Sequence, residues 1–377
     1  MKFLHIADLH LGKTLNDVSF LEDQINALDQ MVAIAHDEKA DAVLIAGDVY
    51  QKASPPAEAM AVFDGFITRL CELGMKVFVI SGNHDSSQRI SYFSSLIRSR
   101  GVYVSEKFEG TLQQIELRDA YGPLTVHLLP FLKPAQVRRW LPGEKIATYQ
   151  EAVEAVLRQS AMDSSRRNVL LCHQFITGSE TSDSEEKAVG GLDNIDASVF
   201  ADFDYVALGH IHKPQRMTRD TLRYAGSPLK YSFSEAAHKK SVTVVTLEEK
   251  GQIRLKTIPI APLHDMRLVD GLLADLMRLP YSEDYVWVTV RDELVPPDAR
   301  LSLTTVFPNL MKFTVSNSRT KYDVDVLARE SMENKSVQEL FSDFYRLQNN
   351  DQPPSDLHMK VLNKALKEWE EEAHEAR

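Results

Sequence analysis

Residues 1–10 read Met1-Lys2-Phe3-Leu4-His5-Ile6-Ala7-Asp8-Leu9-His10. A short apolar run, Phe3 to Ala7, ends in a carboxylate and an imidazole. The pattern recurs four times. Val43-Leu44-Ile45-Ala46 precedes Gly47-Asp48, and Val77-Phe78-Val79-Ile80 precedes Gly82-Asn83-His84-Asp85. Val169-Leu170-Leu171-Cys172 precedes His173, and Val206-Ala207-Leu208 precedes Gly209-His210-Ile211-His212. Buried parallel strands read as short β-branched and apolar runs, and ligands in such sheets gather beyond the strands' carboxyl ends. Five strand ends feeding one site would collect two Asp, one Asn and up to five His.

Those residue types suit metal chemistry. Asp8 and His10 are alternate residues, so an extended segment projects both to one side, and His210 and His212 stand in the same relation. Asp48 follows a glycine, which allows a sharp exit from the strand. Its two oxygens point different ways and can bridge two cations. Asn83 offers a neutral amide oxygen. Oxygen and imidazole ligands without thiolate suit Mn²⁺, and also Fe or Zn. Two ions roughly 4 Å apart can activate a water and clamp the oxygens of a phosphoryl centre. The leaving group still needs a proton, which a histidine off the metals can supply. His84, beside Asn83, is the candidate, and Asp85 either orients it or forms a structural salt bridge. His5 precedes its strand end and is expected to be structural.

The bulk composition of the 377 residues, 44% hydrophobic and 26% charged, is that of a soluble globular protein with two or three domains. No apolar run reaches the length of a membrane span, and the opening reads as a strand rather than a signal peptide. Two cysteines without a spaced motif, Cys71 and Cys172, point to buried reduced thiols in a cytosolic protein. A net charge of −11 argues against a simple nucleic-acid coat protein. DNA binding would need a local basic surface, for which Arg138-Arg139, Arg166-Arg167, Lys213 to Arg223 and Lys239-Lys240 are the candidates.

Residues 1–262 alternate strands and helices, which predicts a layered α/β core. One helix is expected over Asp23 to Lys39, with Ile25, Leu28, Val32 and Ala35 near helical spacing. A second opens at Pro55-Pro56 and stops before Gly74. Hairpins are expected around Tyr121-Gly122-Pro123 and Lys250-Gly251. The texture changes near Pro259 and Pro262. Residues 263–320 carry a helix-like stretch at Gly271 to Met277, a strand at Tyr285 to Val290, a helix after Pro297 and a strand at Lys312 to Ser316, together a small α/β domain. Residues 321–377 are read as helix, break and helix. Val337, Leu340, Phe341, Phe344 and Tyr345 form one stripe, and Met359, Leu362, Leu366 and Trp369 another after a Ser355 cap.

The motifs Asp8-Leu9-His10, Gly47-Asp48, Gly82-Asn83-His84-Asp85, His173 and Gly209-His210-Ile211-His212, in this order, resemble those of the calcineurin-like metallophosphoesterases. The resemblance narrows to the SbcD nuclease subunits through the opening thirteen residues, through Gly47-Asp48-Val49-Tyr50 leading to Pro55-Pro56, and through Tyr224-Ala225-Gly226-Ser227-Pro228-Leu229 leading to Ser234-Glu235. It implies a two-layered β-sandwich core flanked by helices, with a small α/β domain capping the DNA cleft and terminal helices gripping a partner. It further implies a Mn²⁺-dependent DNA nuclease, with 3'-5' exonuclease activity on duplex ends and endonuclease activity on single strands and hairpins, in DNA repair, recombination and replication. The implied partners are DNA and an SbcC-type coiled-coil ATPase, in a heterotetramer with a homodimer at its centre, cytoplasmic and nucleoid-associated. Carried over residue by residue, one ion takes Asp8, His10, Asp48 and His212, the other takes Asp48, Asn83, His173 and His210, and His84 is the acid. The Ala59 to Leu70 helix and the Tyr92 to Ile97 segment are the implied dimer contacts.

One position departs from the pattern. Some relatives carry a second non-ligand histidine three residues after the Asp48 equivalent, where this chain has Gln51, which cannot shuttle a proton. The core motifs alone also fit a small-molecule phosphodiesterase or a phosphoprotein phosphatase, or a scaffold for the ATPase with little cleavage of its own. The small domain and tail speak against a small substrate, which requires neither.

Overall fold

Each of the five apolar runs that end in ligand residues is a strand. The computed structural model of the chain describes residues 1–185, 194–318, 320, 336–349 and 352–375. It divides into two units, Met1–Met266 and Arg267–Arg377.

The first unit opens with β1 (Lys2–Ile6), the small hairpin β2 (Thr14–Leu15) and β3 (Val18–Ser19), helix α1 (Leu21–Asp37), β4 (Ala42–Ala46), helix α2 (Ala57–Glu72), β5 (Lys76–Ile80) and β6 (Val102–Val104). There follow β7 (Gln113–Asp119), β8 (Gly122–Leu129), β9 (Arg167–His173), β10 (Tyr205–Gly209), β11 (Gln215–Arg216), β12 (Leu222–Tyr224), β13 (Ser241–Leu247) and β14 (Ile253–Pro259). Two six-stranded sheets result, in the orders β14-β13-β1-β4-β5-β6 and β11-β12-β10-β9-β8-β7. In the first, β1, β4, β5 and β6 run parallel. In the second, β8, β9, β10 and β12 do. Phe3, Leu44 and Phe78 of one sheet pack on Val126, Val169 and Tyr205 of the other, forming the interior of a sandwich. The parallel strands are buried on both faces, because helices cover the outside. Ala152, Val153 and Val156, from the helix Tyr149–Gln159, pack on Leu170 and Val206. That helix starts at a capping box, in which Thr148 Oγ1 accepts the Glu151 N–H and the Glu151 carboxylate accepts the Thr148 N–H.

Some details differ from the sequence reading. The buried face of α1 is Gln24, Ala27, Leu28, Met31 and Ala35, while Ile25 is 40% exposed. The face is rotated because Gln24 points inward to bond the chain after β1. The first hairpin turns at Ala120-Tyr121, one step earlier than expected, since Asp119 pairs with Gly122 and its carboxylate accepts the Tyr121 N–H.

In the second unit, strands β15 (Met266–Gly271), β16 (Tyr285–Val290) and β17 (Leu310–Val315) form one sheet in that order. Val286, Val288 and Val290 pack against Leu276, Leu303 and Phe307. Strand β15 went unread, because exposed Arg267, Leu268 and Asp270 leave it without the apolar alternation of a core strand. Two further helices, Val337–Gln348 and Asp356–Glu375, contact each other. Residues 321–335, the start of the expected helical tail, lie outside the described residues, as does the side chain of Trp369.

The rotation of α1 is testable by denaturant unfolding. Leu28→Ala is expected to lose roughly 2–5 kcal/mol and Ile25→Ala less than about 1 kcal/mol. The reverse order would contradict the observed face.

Candidate metal centre

The carboxyl ends of β1, β4, β5, β9 and β10 bring their polar residues together. Asp8, His10, Asp48, His173, His210 and His212 are buried, and Asn83 and His84 are half-buried. His10 Nε2 stands 3.1 Å from His212 Nε2 and 3.6 Å from Asp48 Oδ2. The same Asp48 oxygen is 3.3 Å from His173 Nε2. Asn83 Oδ1 lies 3.1 Å from His173 Nε2 and 3.0 Å from His210 Nδ1. Ligand atoms thus gather on two sides of Asp48 Oδ2. Three triads each bring one donor atom apiece within 4.8 Å of one another: Asp8, His10 and His212; Asp8, Asp48 and His173; and His10, Asp48 and His84.

The glycines of these motifs are explained by space. A Cβ on Gly82 would stand 2.1 Å from Asp48 Oδ1, and one on Gly209 would stand 1.9 Å from the Ala46 carbonyl oxygen. A Cβ on Gly47 would lie 2.3 Å from His173 Nδ1, and Gly47 also has a φ of +90°. Each strand end therefore passes against a side chain or carbonyl of another. Four candidate ligands have left-handed backbone: Asp8 (φ 53°), His10 (46°), Asp48 (50°) and His210 (102°). Such residues cost on the order of 1–3 kcal/mol each and persist where the surroundings over-determine them. Asp8 and His10 therefore converge through two left-handed residues, not through the extended backbone that their alternation suggests. Asp48 also differs from expectation. Its Oδ1 accepts the His84 N–H at 3.0 Å, so only Oδ2 faces both groups of ligands.

A second layer of residues fixes the first. Gln24 Nε2 donates to the carbonyls of Leu9 and His10, and its oxygen accepts the Gly12 N–H. Among the described residues Asp85 neither bonds the His84 ring nor forms a salt bridge; its carboxylate accepts the N–H groups of Val49, Tyr50 and Gly82 and ties two ligand loops together. The His84 ring is held by the Gln51 carbonyl, 3.1 Å from Nδ1. His173 Nδ1 donates to the Ala46 carbonyl at 2.8 Å, and Asp8 Oδ1 accepts the His210 N–H at 2.9 Å. Glu235 Oε1 stands 3.2 Å from His212 Nδ1. Gln24 lies on the stripe that continues through Ala27, Leu28 and Met31, a spacing that could have found it although the sequence reading passed it over, whereas no local pattern marks Glu235 as buried. His5 is buried against Tyr205 and Leu208, away from the ligand cluster, and burial lowers its pKa to about 3.

The electrostatics fit a cation. Asp8 Oδ2 is buried without a hydrogen-bond partner. Burial pushes the Asp8 carboxyl up to about 6, against the pull of the His173 and His212 rings. Burial also opposes the Asp48 carboxylate, but His173, His10 and His84 outweigh it and hold that carboxyl well below its usual range. For His173, burial disfavours the imidazolium, yet Asp48 and Asp8 raise it to about 9. Burial lowers His210 to about 3, with His173 adding to the effect, and lowers His10 well below its ordinary value. A cation here would favour the carboxylates and displace the His173 Nε2 proton. Two imidazole nitrogens 3.1 Å apart can share one cation at ordinary metal–nitrogen lengths of about 2.0–2.1 Å.

Of the basic clusters read from the sequence, Arg167 and Lys240 are buried and serve the fold, whereas Arg166, Lys213 and Arg216 form exposed pairs. Arg167 is buried in a bidentate pair with Asp119. Arg166 pairs with Glu116 and Asp163, Arg216 with Asp220, Lys213 with Glu180 and Lys240 with buried Glu235.

The family described as calcineurin-like phosphoesterase matches residues 1–214. A second family, described as type 5 capsule protein repressor C-terminal domain, matches residues 262–349. The SbcD component of the SbcCD nuclease of Staphylococcus epidermidis is 32% identical over 319 residues, covering 82% of this chain and 84% of that relative. The chain belongs to the SbcD branch of the calcineurin-like phosphoesterases. Its fold is the metallophosphoesterase sandwich, and the family works with divalent metals. Among solved structures, a dimetal phosphatase from Danio rerio is similar at a TM-score of 0.40 and 14% identity, covering 69% of this chain and 99% of that one. An inner-membrane-complex anchor from Plasmodium is similar at 0.38 and 11%, covering 84% and 98%. No helix among the described residues is long and apolar enough to cross a membrane.

Gly82 tests the spatial logic, because its backbone lies outside the left-handed region and only the missing Cβ matters. Gly82→Ala is expected to displace the Asp48 carboxylate and abolish Mn²⁺ binding by calorimetry, with a loss of about 1–3 kcal/mol in stability. Binding like that of the unsubstituted chain would contradict the close approach.

Proposed function

We propose that the chain is the nuclease subunit of an SbcC–SbcD-type complex, hydrolysing DNA phosphodiesters at a centre of two divalent cations, Mn²⁺ in preference. The observation that carries this reading is the gathering of Asp8, His10, His173 and His212 around Asp48, with Asn83 between His173 and His210, in a chain similar over 82% of its length to a nuclease subunit. One cation would be held by Asp8, His10, Asp48 and His212, the other by Asp48, Asn83, His173 and His210. Bound there, the cations would supply a nucleophile at neutral pH and neutralise phosphoryl charge.

The chain's own residues do the rest. Asp48 Oδ2 faces both groups, and Oδ1 anchors the His84 backbone, so the acid is fixed to the same carboxylate that faces both sets of ligands. The Gln51 carbonyl accepts His84 Nδ1–H and so orients the ring, whose imidazolium form would give a proton to the leaving oxygen. The backbone of Gln51 thus serves His84 although its side chain cannot shuttle a proton. The half-buried His84 is the most accessible histidine of the centre, as a group that meets substrate must be.

The finer activities follow the family: 3'-5' exonuclease on duplex ends and endonuclease on single strands and hairpins, in DNA repair, recombination and replication, in the cytoplasm and at the nucleoid. Residues 263–320 would cap the DNA. The helices within 321–377 would hold the partner's coiled coil, consistent with exposed Val337, Phe344, Leu357 and Val361. Two copies would meet through α2 and the segment 92–97, where Met60, Tyr92, Phe93 and Leu96 are 52–70% exposed.

The test is a substrate panel with Mn²⁺-loaded protein, alone and with an SbcC-type partner. Cleavage of duplex ends, single strands or hairpins is expected. His84→Gln should keep Mn²⁺ binding and lose roughly 10²–10⁴-fold in cleavage rate. Hydrolysis of nucleotides or phosphopeptides without any DNA cleavage would replace this reading with a small-molecule phosphodiesterase or a phosphatase.

A further inference from the structure

The imidazoles of the centre are not held alike. His173 and His84 each rest their Nδ1 on a backbone carbonyl, of Ala46 and Gln51. His212 instead rests its Nδ1 on a side chain, the Glu235 carboxylate, at 3.2 Å. Glu235 is fully buried and pairs with Lys240, itself only 7% exposed. The Lys240 ammonium also donates to the His212 carbonyl and to Ser227 Oγ, both at 2.8 Å. A carboxylate paired with an ammonium accepts hydrogen bonds only. His212 Nδ1 therefore carries the proton, and Nε2 presents its lone pair toward Asp8 and His10.

We propose that Glu235, with Lys240 behind it, is a positioning residue that sets cation affinity on one side of the centre alone, an inference that rests on the two-cation reading above. A carboxylate behind a ligating histidine fixes its tautomer and raises its basicity, and losing such a partner costs about 10–100-fold in metal affinity. The Asp8, His10 and His212 side has this anionic support. On the other side, the far nitrogen of His173 rests on a neutral carbonyl. The two cations are therefore held unequally, and the inequality resides in Glu235.

Calorimetric Mn²⁺ titration of the full chain tests this. The unsubstituted protein is expected to show two binding steps. Glu235→Gln weakens one step by about 10–100-fold and leaves the other unchanged, while Asn83→Ala weakens the step that Glu235→Gln spares. Because Glu235→Gln strands a buried ammonium, the double variant Glu235→Leu with Lys240→Met removes both charges and keeps the volume. It is expected to melt near the unsubstituted protein and to show the same single weakened step. Unchanged affinities in both variants, or equal weakening of both steps, would overturn the proposal while leaving two-cation binding intact. Absence of Mn²⁺ binding in the unsubstituted chain would overturn the two-cation reading itself.

Discussion

The Asp48 carboxylate stands where the two halves of the candidate centre meet. Its Oδ2 faces His10 on one side and His173 on the other, and its Oδ1 holds the backbone of His84. To reach that place, Asp48 leaves its strand with a left-handed φ, and Gly82 on the next strand end gives up the volume of a Cβ. The neighbouring loops follow the same demand. His10 N–H donates to the Asp48 carbonyl, Asp8 N–H donates to the Gly47 carbonyl, and Asp85 gathers the amides on either side. Moving one strand end would disturb all of them.

Such an arrangement is costly. Four left-handed residues, several buried charges and an unpartnered Asp8 oxygen are concentrated at one end of the sandwich. The compensation comes from the body of the unit. Two six-stranded sheets enclose a fully buried interior between Phe3, Phe78, Val169 and Tyr205, and helices cover the outer faces. Strain of this size is tolerated where rigid packing over-determines the geometry. A cation would offset the rest by stabilising the carboxylates that burial disfavours.

The strand ends were legible because burial on both faces makes a parallel strand apolar throughout, so each polar residue that follows it stands out. Asp8, Asp48, Asn83 and the histidines were visible on this ground. The supporting residues were not visible in the same way. Glu235 lies far in sequence from the strand ends, and its burial depends on Lys240 and on the fold that brings both under His212. The rotation of α1 escaped for a related reason, since Ile25 looks like core until Gln24 is seen bonding the loop after β1. Strand β15 escaped because it is half-exposed and carries no apolar run. Charge counts do not distinguish Arg167, locked on Asp119 inside the fold, from a cation facing solvent such as Arg216.

In the proposed centre one carboxylate oxygen, Asp48 Oδ2, would organise two cation sites. Crystals soaked in Mn²⁺ and measured at its absorption edge test it most directly. Two anomalous peaks are expected flanking Asp48 Oδ2, one within bonding distance of Asp8, His10 and His212, the other of Asn83, His173 and His210. A single peak, or peaks that leave Asp48 without a bond, would contradict it.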